Sequence, residues 1–168
     1  MSVAKGKPLL AEFGGRCQLE FNLSHSEDLA IIGVRRGAAL GVDLERIREL
    51  EDAEELVARF FSKREATAFQ ALSKDQKPAA FFNLWTRKEA WLKATGEGIA
   101  HLLDQVEVSF VPGEPARLLT LPKGYRSPDA WSIDDLKIGQ GFAAAVAVAA
   151  NQTRSELYWT NQLNRLGL

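Results

Sequence analysis

The sequence predicts an α+β fold in which helices pack against a largely antiparallel sheet. Three observations lead there. Three short strand-like runs crowd the chain before Glu45, a charged helical stretch runs from Arg46 to about Thr95, and four further strand-like runs follow, separated by Gly and Pro turns. The chain has 168 residues, 46% hydrophobic and 26% charged, enough for one domain with a sizeable core or two small lobes.

Residues 1–17 open with the basic Lys5-Gly6-Lys7-Pro8 and show no strong periodicity, which suits a joining segment. Gln18 to Leu23 and Leu29 to Arg35 alternate as strands, with the turn expected at Ser24-His25-Ser26-Glu27-Asp28, and Ala39 to Leu44 forms a third strand. Glu51 to Phe60 is a short helix. Ser62-Lys63-Arg64-Glu65 has the spacing of a capping box and starts a second helix reaching about Leu72. The stretch around which the rest is organised is Phe81 to Ile99, a helix entered through Pro78, whose missing N–H costs nothing in a first turn, and stopped by Gly96 or Gly98. Val106 to Val111, Ala116 to Leu121, Ala130 to Leu136 and Gly141 to Ala149 follow as strands. Residues 152–168 form a polar tail, with Leu157, Tyr158, Leu163 and Leu166 spaced for a terminal helix.

Charge and cysteine content exclude several classes of function. A net charge of −1 and a pI near 6.2 argue against a protein held to nucleic acid or to an anionic membrane by bulk electrostatics. The single cysteine, Cys17, excludes internal disulfides and multi-cysteine zinc sites, so a reducing, cytoplasmic compartment is expected. The longest apolar run, Phe142 to Ala150, is too short to span a bilayer, and the N-terminus lacks the apolar core of a signal peptide.

The chemistry-bearing residues are acidic and basic ones set in apolar company. At about 100° per residue, Phe81, Phe82, Trp85 and Leu92 share one arc of the central helix, and Glu89 projects between Phe82 and Trp85. Lys93 lies one turn on, at the edge of the same arc. Asp43 and Glu45, two residues apart at a strand end, share a face and add two more carboxylates. Clustered carboxylates repel unless a cation sits among them, and hard oxygen donors with open positions suit Mg²⁺. Lys88, Lys93, Lys7, Ser24 and His25 are candidate anion partners, so the set matches what a pyrophosphate ligand requires. Blander alternatives stay open: an i,i+4 Glu89/Lys93 pair on a solvated face with Lys88 snorkelling outward, and helix-dipole complementarity for Asp43 and Glu45. A nucleophile pair of His25 with Ser24 or Ser26 is disfavoured, because neighbours in an extended segment point to opposite faces and no third group orients the histidine. His101 reads as a surface residue; Phe60, Phe61, Phe69 and Leu72 read as core, and Trp85 and Trp91 as packing.

Four ordered blocks carry a family resemblance. Phe21-Asn22-Leu23-Ser24-His25-Ser26, Gly41-Val42-Asp43-Leu44-Glu45, Phe61-Ser62-x-x-Glu65, and Trp85-Thr86-Arg87-Lys88-Glu89-Ala90-x-x-Lys93-x-x-Gly96-x-Gly98 closely resemble the 4′-phosphopantetheinyl transferases, most of all the type that activates peptide and polyketide synthases. The resemblance runs from about Gly6 to Ala149.

The resemblance implies roles position by position. Asp43, Glu45 and Glu89 would hold Mg²⁺ on the pyrophosphate of coenzyme A. Glu89 would also be the base for the serine hydroxyl of an apo acyl or peptidyl carrier protein. Lys93 would stabilise and protonate the leaving phosphate, Lys88 would assist with phosphate charge, and Lys7, Ser24 and His25 would bind coenzyme A phosphates. The products would be holo carrier protein and adenosine 3′,5′-bisphosphate. Exposed apolar groups between Ile47 and Phe69 are candidates for the groove that receives the carrier-protein helix, since the resembling enzymes dock it near there.

Larger members of this family join two similar halves in one chain, and this chain begins at the G-K-P motif. The expected organisation is a remnant of the first half over 1–40, including the Ser-His-Ser turn, a metal-binding and catalytic half over 41–150, and a tail over 151–168. A truncated sequence, self-association that rebuilds the missing surface, or a chain that no longer turns over would each account for that organisation, and a monomer would show exposed strand edges on the 18–35 hairpin. Two other functions remain beside the transferase: a non-catalytic module binding a carrier protein or nucleotide, and a Mg²⁺-dependent hydrolase of small diphosphates.

Overall fold

The structure, a computed structural model, describes residues 3–4, 7–8, 19–96, 102–151 and 153–160, with 3–4 and 7–8 given as strand backbone. The elements run β1 (Val3–Ala4), β2 (Lys7–Pro8), β3 (Leu19–Ser26), β4 (Leu29–Arg36), β5 (Leu40–Arg46), α1 (Ala53–Phe60), α2 (Lys63–Gln70), α3 (Lys77–Thr95), β6 (Glu107–Val108), β7 (Leu118–Thr120), a 3₁₀ turn (Pro128–Ala130), β8 (Ser132–Asp135) and β9 (Phe142–Val148). All strand pairs are antiparallel, as the α+β reading expects.

α3 is the axis of the core. Pro78 sits in its first turn, and Gly96, at φ 73°, takes the left-handed conformation that closes its end. From Ala80 to Ala94 nearly every side chain is buried, charged ones included, so α3 is enclosed rather than amphipathic. One flank lies on the sheet β5–β9–β8, whose central strand β9 is the Ala- and Val-rich run Phe142–Val148. On the other flank Phe61, Phe69, Phe81 and Trp85 pack around α1 and α2, mostly edge to face with Phe81 and Trp85 stacked. Nearer its C-terminal end, Trp91 meets Tyr125 and Trp131.

β5 is drawn hard against α3 at Gly41. A Cβ there would stand 2.1 Å from the Ala90 carbonyl oxygen and 2.4 Å from the Ala94 nitrogen, so only glycine permits this approach. The next residues of β5 are therefore delivered to the same surface of α3 that carries Glu89.

Several boundaries differ from expectation. The first turn is only Glu27 and Asp28, with Glu27 at φ 53°, so Ser24, His25 and Ser26 lie inside β3. The strand expected over 106–111 is reduced to Glu107–Val108, because side chains of α3 take the next carbonyls: Arg87 donates to Ser109 O and Asn83 to Phe110 O. Phe60, expected in the core, is 41% exposed. The tail has no regular structure over 153–160, its Tyr158 and Trp159 being exposed; the rest of the expected terminal helix lies outside the described residues, as do Cys17, Gly98 and His101.

Candidate active site

Two elements build the site. β5 presents Asp43, buried, and Glu45, partly buried; α3 presents Glu89, buried, and Lys93 one turn later. Lys93 Nζ reaches Asp43 Oδ1 at 2.6 Å and Ser24 Oγ at 3.1 Å, and Ser24 Oγ donates to the same Asp43 oxygen at 3.0 Å. The other Asp43 oxygen, Oδ2, and Glu89 Oε1 are buried and have no hydrogen-bond partner among the described residues. Such orphaned acceptors are rare in a folded core, and a bound ion or water is one way to satisfy them.

The electrostatics agree with the geometry. Burial pushes the Glu89 carboxyl up to about 7, and the negative charges of Asp43 and then Glu45 push the same way against the opposing Lys93 ammonium. Asp43 is also raised, by burial first, although Lys93 and Ser24 pull it back. Glu45 is raised by burial and by Asp43. Glu89 feels the charges of Asp43 and Glu45, and Glu45 feels that of Asp43, so the expected acids share one neighbourhood, with Lys93 against Asp43.

The donor chemistry fits a hard divalent cation. Among the described residues no three Asp, Glu, His or Cys side chains already converge closely enough to enclose an ion. Mg²⁺ does not need such a cage, since it is commonly held by one or two carboxylates together with waters and ligand phosphates. The unpartnered oxygens of Asp43 and Glu89 are free for that purpose.

Other expected residues fall elsewhere. Lys88 is fully buried on another flank of α3, where Nζ donates to Glu65 Oε2 at 2.6 Å and to the carbonyls of Leu103 and Val106 and lies over the Phe61 ring. Neither the outward snorkel nor a contact with phosphate charge matches this enclosure, and burial lowers its proton affinity. Glu65, whose capping box with Ser62 is present as predicted, is the residue missed here: its side chain also accepts from Val108 N and so ties α2, α3 and β6 together. His25 is exposed on the opposite face of β3 from Ser24, which removes the Ser/His nucleophile pair. The side chain of Lys7 lies outside the described residues.

Next to Glu45 opens a cavity of about 850 Å³ whose walls include Leu50, Leu56, Phe60, Phe81 and Trp85, with Arg48 and Arg59 among its charged residues. Trp85 thus serves both packing and this wall, and Phe60, expected in the core, lines the cavity with its exposed side.

Residues 39–147 match the sequence profile of the 4′-phosphopantetheinyl transferase superfamily. The chain belongs to this family. Within it, the chain is 44% identical over 146 residues to 4′-phosphopantetheinyl transferase HetI of Nostoc sp., covering 87% of this chain and 58% of HetI. It is 32% identical over 103 residues to 4′-phosphopantetheinyl transferase Sfp of Bacillus subtilis, covering 61% of this chain and 43% of Sfp. A solved holo-(acyl-carrier-protein) synthase from Bacillus anthracis, in complex with CoA (3′,5′-ADP), superposes with a TM-score of 0.53 at 18% identity, covering 68% of this chain and 98% of that one, a likeness of fold. The chain thus spans less than two thirds of the length of the curated relatives it matches. No helix among the described residues is long and apolar enough to cross a membrane.

Proposed function

We propose that this chain transfers 4′-phosphopantetheine from coenzyme A to a serine hydroxyl of an apo acyl or peptidyl carrier protein in the cytoplasm, leaving holo carrier protein and adenosine 3′,5′-bisphosphate. The family membership supports the reaction class, and one observation supports the site: Glu89 is a buried carboxylate with an unpartnered oxygen and a proton affinity near neutrality, beside Asp43 and Lys93. A group poised near pH 7 both accepts and releases a proton readily at the working pH.

In this reading Asp43, Glu45 and Glu89 hold Mg²⁺, which when bound neutralises charge along the pyrophosphate. Glu89 takes the proton of the carrier serine as its oxygen forms a bond to the phosphorus of the phosphopantetheine moiety. The phosphorus bond to the bridging oxygen breaks, and Lys93 neutralises and protonates the departing phosphate. Lys93 is suited to this because its side chain is about 30% exposed and reaches solvent while touching Asp43. His25, open on the outer face of β3, is the proposed contact for the phosphates of coenzyme A together with Lys7, and the cavity beside Glu45 is the proposed seat of the carrier protein. Positioning and charge stabilisation supply most of the rate in such a transfer.

The test is the intact mass of a small apo carrier protein after incubation with this chain, coenzyme A and Mg²⁺. A gain of one phosphopantetheine, lost with Glu89→Gln, is the expected result. Retained binding of the carrier protein with no gain in mass would replace the transferase with a binding module. Breakdown of coenzyme A without modified carrier would replace it with a diphosphate hydrolase.

A further inference from the structure

Among the described residues β5 is paired as a strand along one edge only. Its backbone ladder runs to β9 from Leu40↔Val148 to Arg46↔Phe142. On the other edge the N–H groups of Val42, Leu44 and Arg46 donate to side chains: Asn22 Oδ1 at 2.9 Å, Ser24 Oγ at 3.2 Å and Ser26 Oγ at 3.0 Å. These are alternate residues of β3, each twenty positions before its partner, so one face of the hairpin forms a comb that grips the sheet edge. A slip of one residue would present Phe21, Leu23 and His25 instead, which fixes the register.

A hydroxyl has one proton and two lone pairs. All three are engaged on Ser24, which accepts from Leu44 N and Lys93 Nζ and donates to Asp43 Oδ1. Ser26 repeats the pattern more loosely, accepting from Arg46 N and donating to Glu45 Oε2 at 3.4 Å. The comb therefore has an amide oxygen at one rung and hydroxyls at the two rungs that reach a carboxylate. Only a hydroxyl can accept an amide proton and donate its own from a single atom.

We infer that Ser24 and Ser26 are positioning residues for the acidic pair: each ties an amide of β5 to a neighbouring carboxylate and so sets the orientation in which Asp43 and Glu45 receive a divalent cation. The inference rests on the metal role proposed above for those acids. It also replaces the expected phosphate contact of Ser24, whose only proton faces Asp43.

The experiment is a titration of the intact chain with Mn²⁺ alone, followed by the electron-paramagnetic signal of the free ion, with a melting curve for every variant. Ser24→Ala should bind Mn²⁺ about tenfold more weakly, in line with the loss that follows removal of groups orienting metal ligands. Ser26→Ala should show a smaller loss, and Ser24→Thr, which keeps the hydroxyl, should bind as the parent does. Asn22→Ala removes a rung without removing a hydroxyl; it should melt earlier but bind Mn²⁺ unchanged. Parental affinity in both serine-to-alanine variants, or a loss in Asn22→Ala equal to that in Ser24→Ala, would overturn the inference alone. If the parent chain binds no Mn²⁺ alone, the same titrations are run with coenzyme A present; no binding in either case removes the metal reading and the inference with it. Should Ser24→Ala fail to fold, Ser26→Ala and Ser24→Thr still decide.

Discussion

Lys88 and Glu89 are neighbours in the chain and both are buried on α3, yet their charges live in opposite circumstances. Lys88 gives its protons to Glu65 and to two backbone carbonyls, and an aromatic ring covers it. Glu89 keeps one oxygen unpartnered, and its surroundings hold its proton to about pH 7. A buried charge with every bond made fastens elements together, here α2, α3 and the 103–108 segment. One left short of partners is destabilised where it stands and available to a ligand or a proton. The difference separates scaffold from site on a single turn of helix.

The contrast can be broken by substitution. Glu89→Gln keeps the shape and removes the proton acceptor, so carrier-protein modification should slow by roughly 10²- to 10⁴-fold while the chain still unfolds cooperatively; a large loss of stability would make Glu89 a packing residue like its neighbour. Lys88→Ala strips one partner from a buried pair and leaves Glu65 uncompensated, which should cost about 3–5 kcal/mol in urea unfolding. A cost under about 1 kcal/mol, the range of exposed pairs, would refute its enclosure.

The third test uses pH, in the presence of a chelator. Glu89 is raised from 4.5 to about 7 on folding, so between these values the folded chain holds a proton that the unfolded chain has released. Stability should therefore fall as pH rises through this window, by up to about 3 kcal/mol. Glu89→Gln should lack this decline, being more stable than the parent above pH 7 and gaining nothing below about pH 4.5; parallel stability curves for the two proteins would show that Glu89 is not held protonated.

A smaller effect is expected at Gly41, which lets β5 deliver Asp43 to Glu89. Gly41→Ala should cost about 1–3 kcal/mol in thermal or urea unfolding through overpacking, and should slow transfer because β5 must move off α3. An unaffected transfer rate would mean that the close approach serves packing alone.

Local rules were sufficient wherever the signal lies within a few residues. The Ser62/Glu65 capping box, Pro78 in the first turn and Gly96 at the end of α3 are each one-turn effects, and each is found as expected. Asp43 and Glu45 share a face because strand geometry has a period of two, and Glu89 precedes Lys93 by one helical turn. The partner of Lys88 was not legible in this way. Glu65 lies 23 residues upstream, and only the packing of α2 on α3 decides that Lys88 turns inward to it. Ser24 shows the same limit: an alternating Asn22-x-Ser24-x-Ser26 announces a polar strand face, but its partners lie twenty residues on, beyond the reach of periodicity.

The order of elements, the ends of the central helix and the family to which the chain belongs were readable from the residues alone, because they follow from backbone propensity and from residues at fixed spacing. Which buried charges are matched and which are left short is set by packing, because that depends on how many donors and acceptors distant segments bring to one point. Lys88 and Glu89 illustrate the division: adjacent letters in the same motif, assigned opposite work by the segments that fold against them.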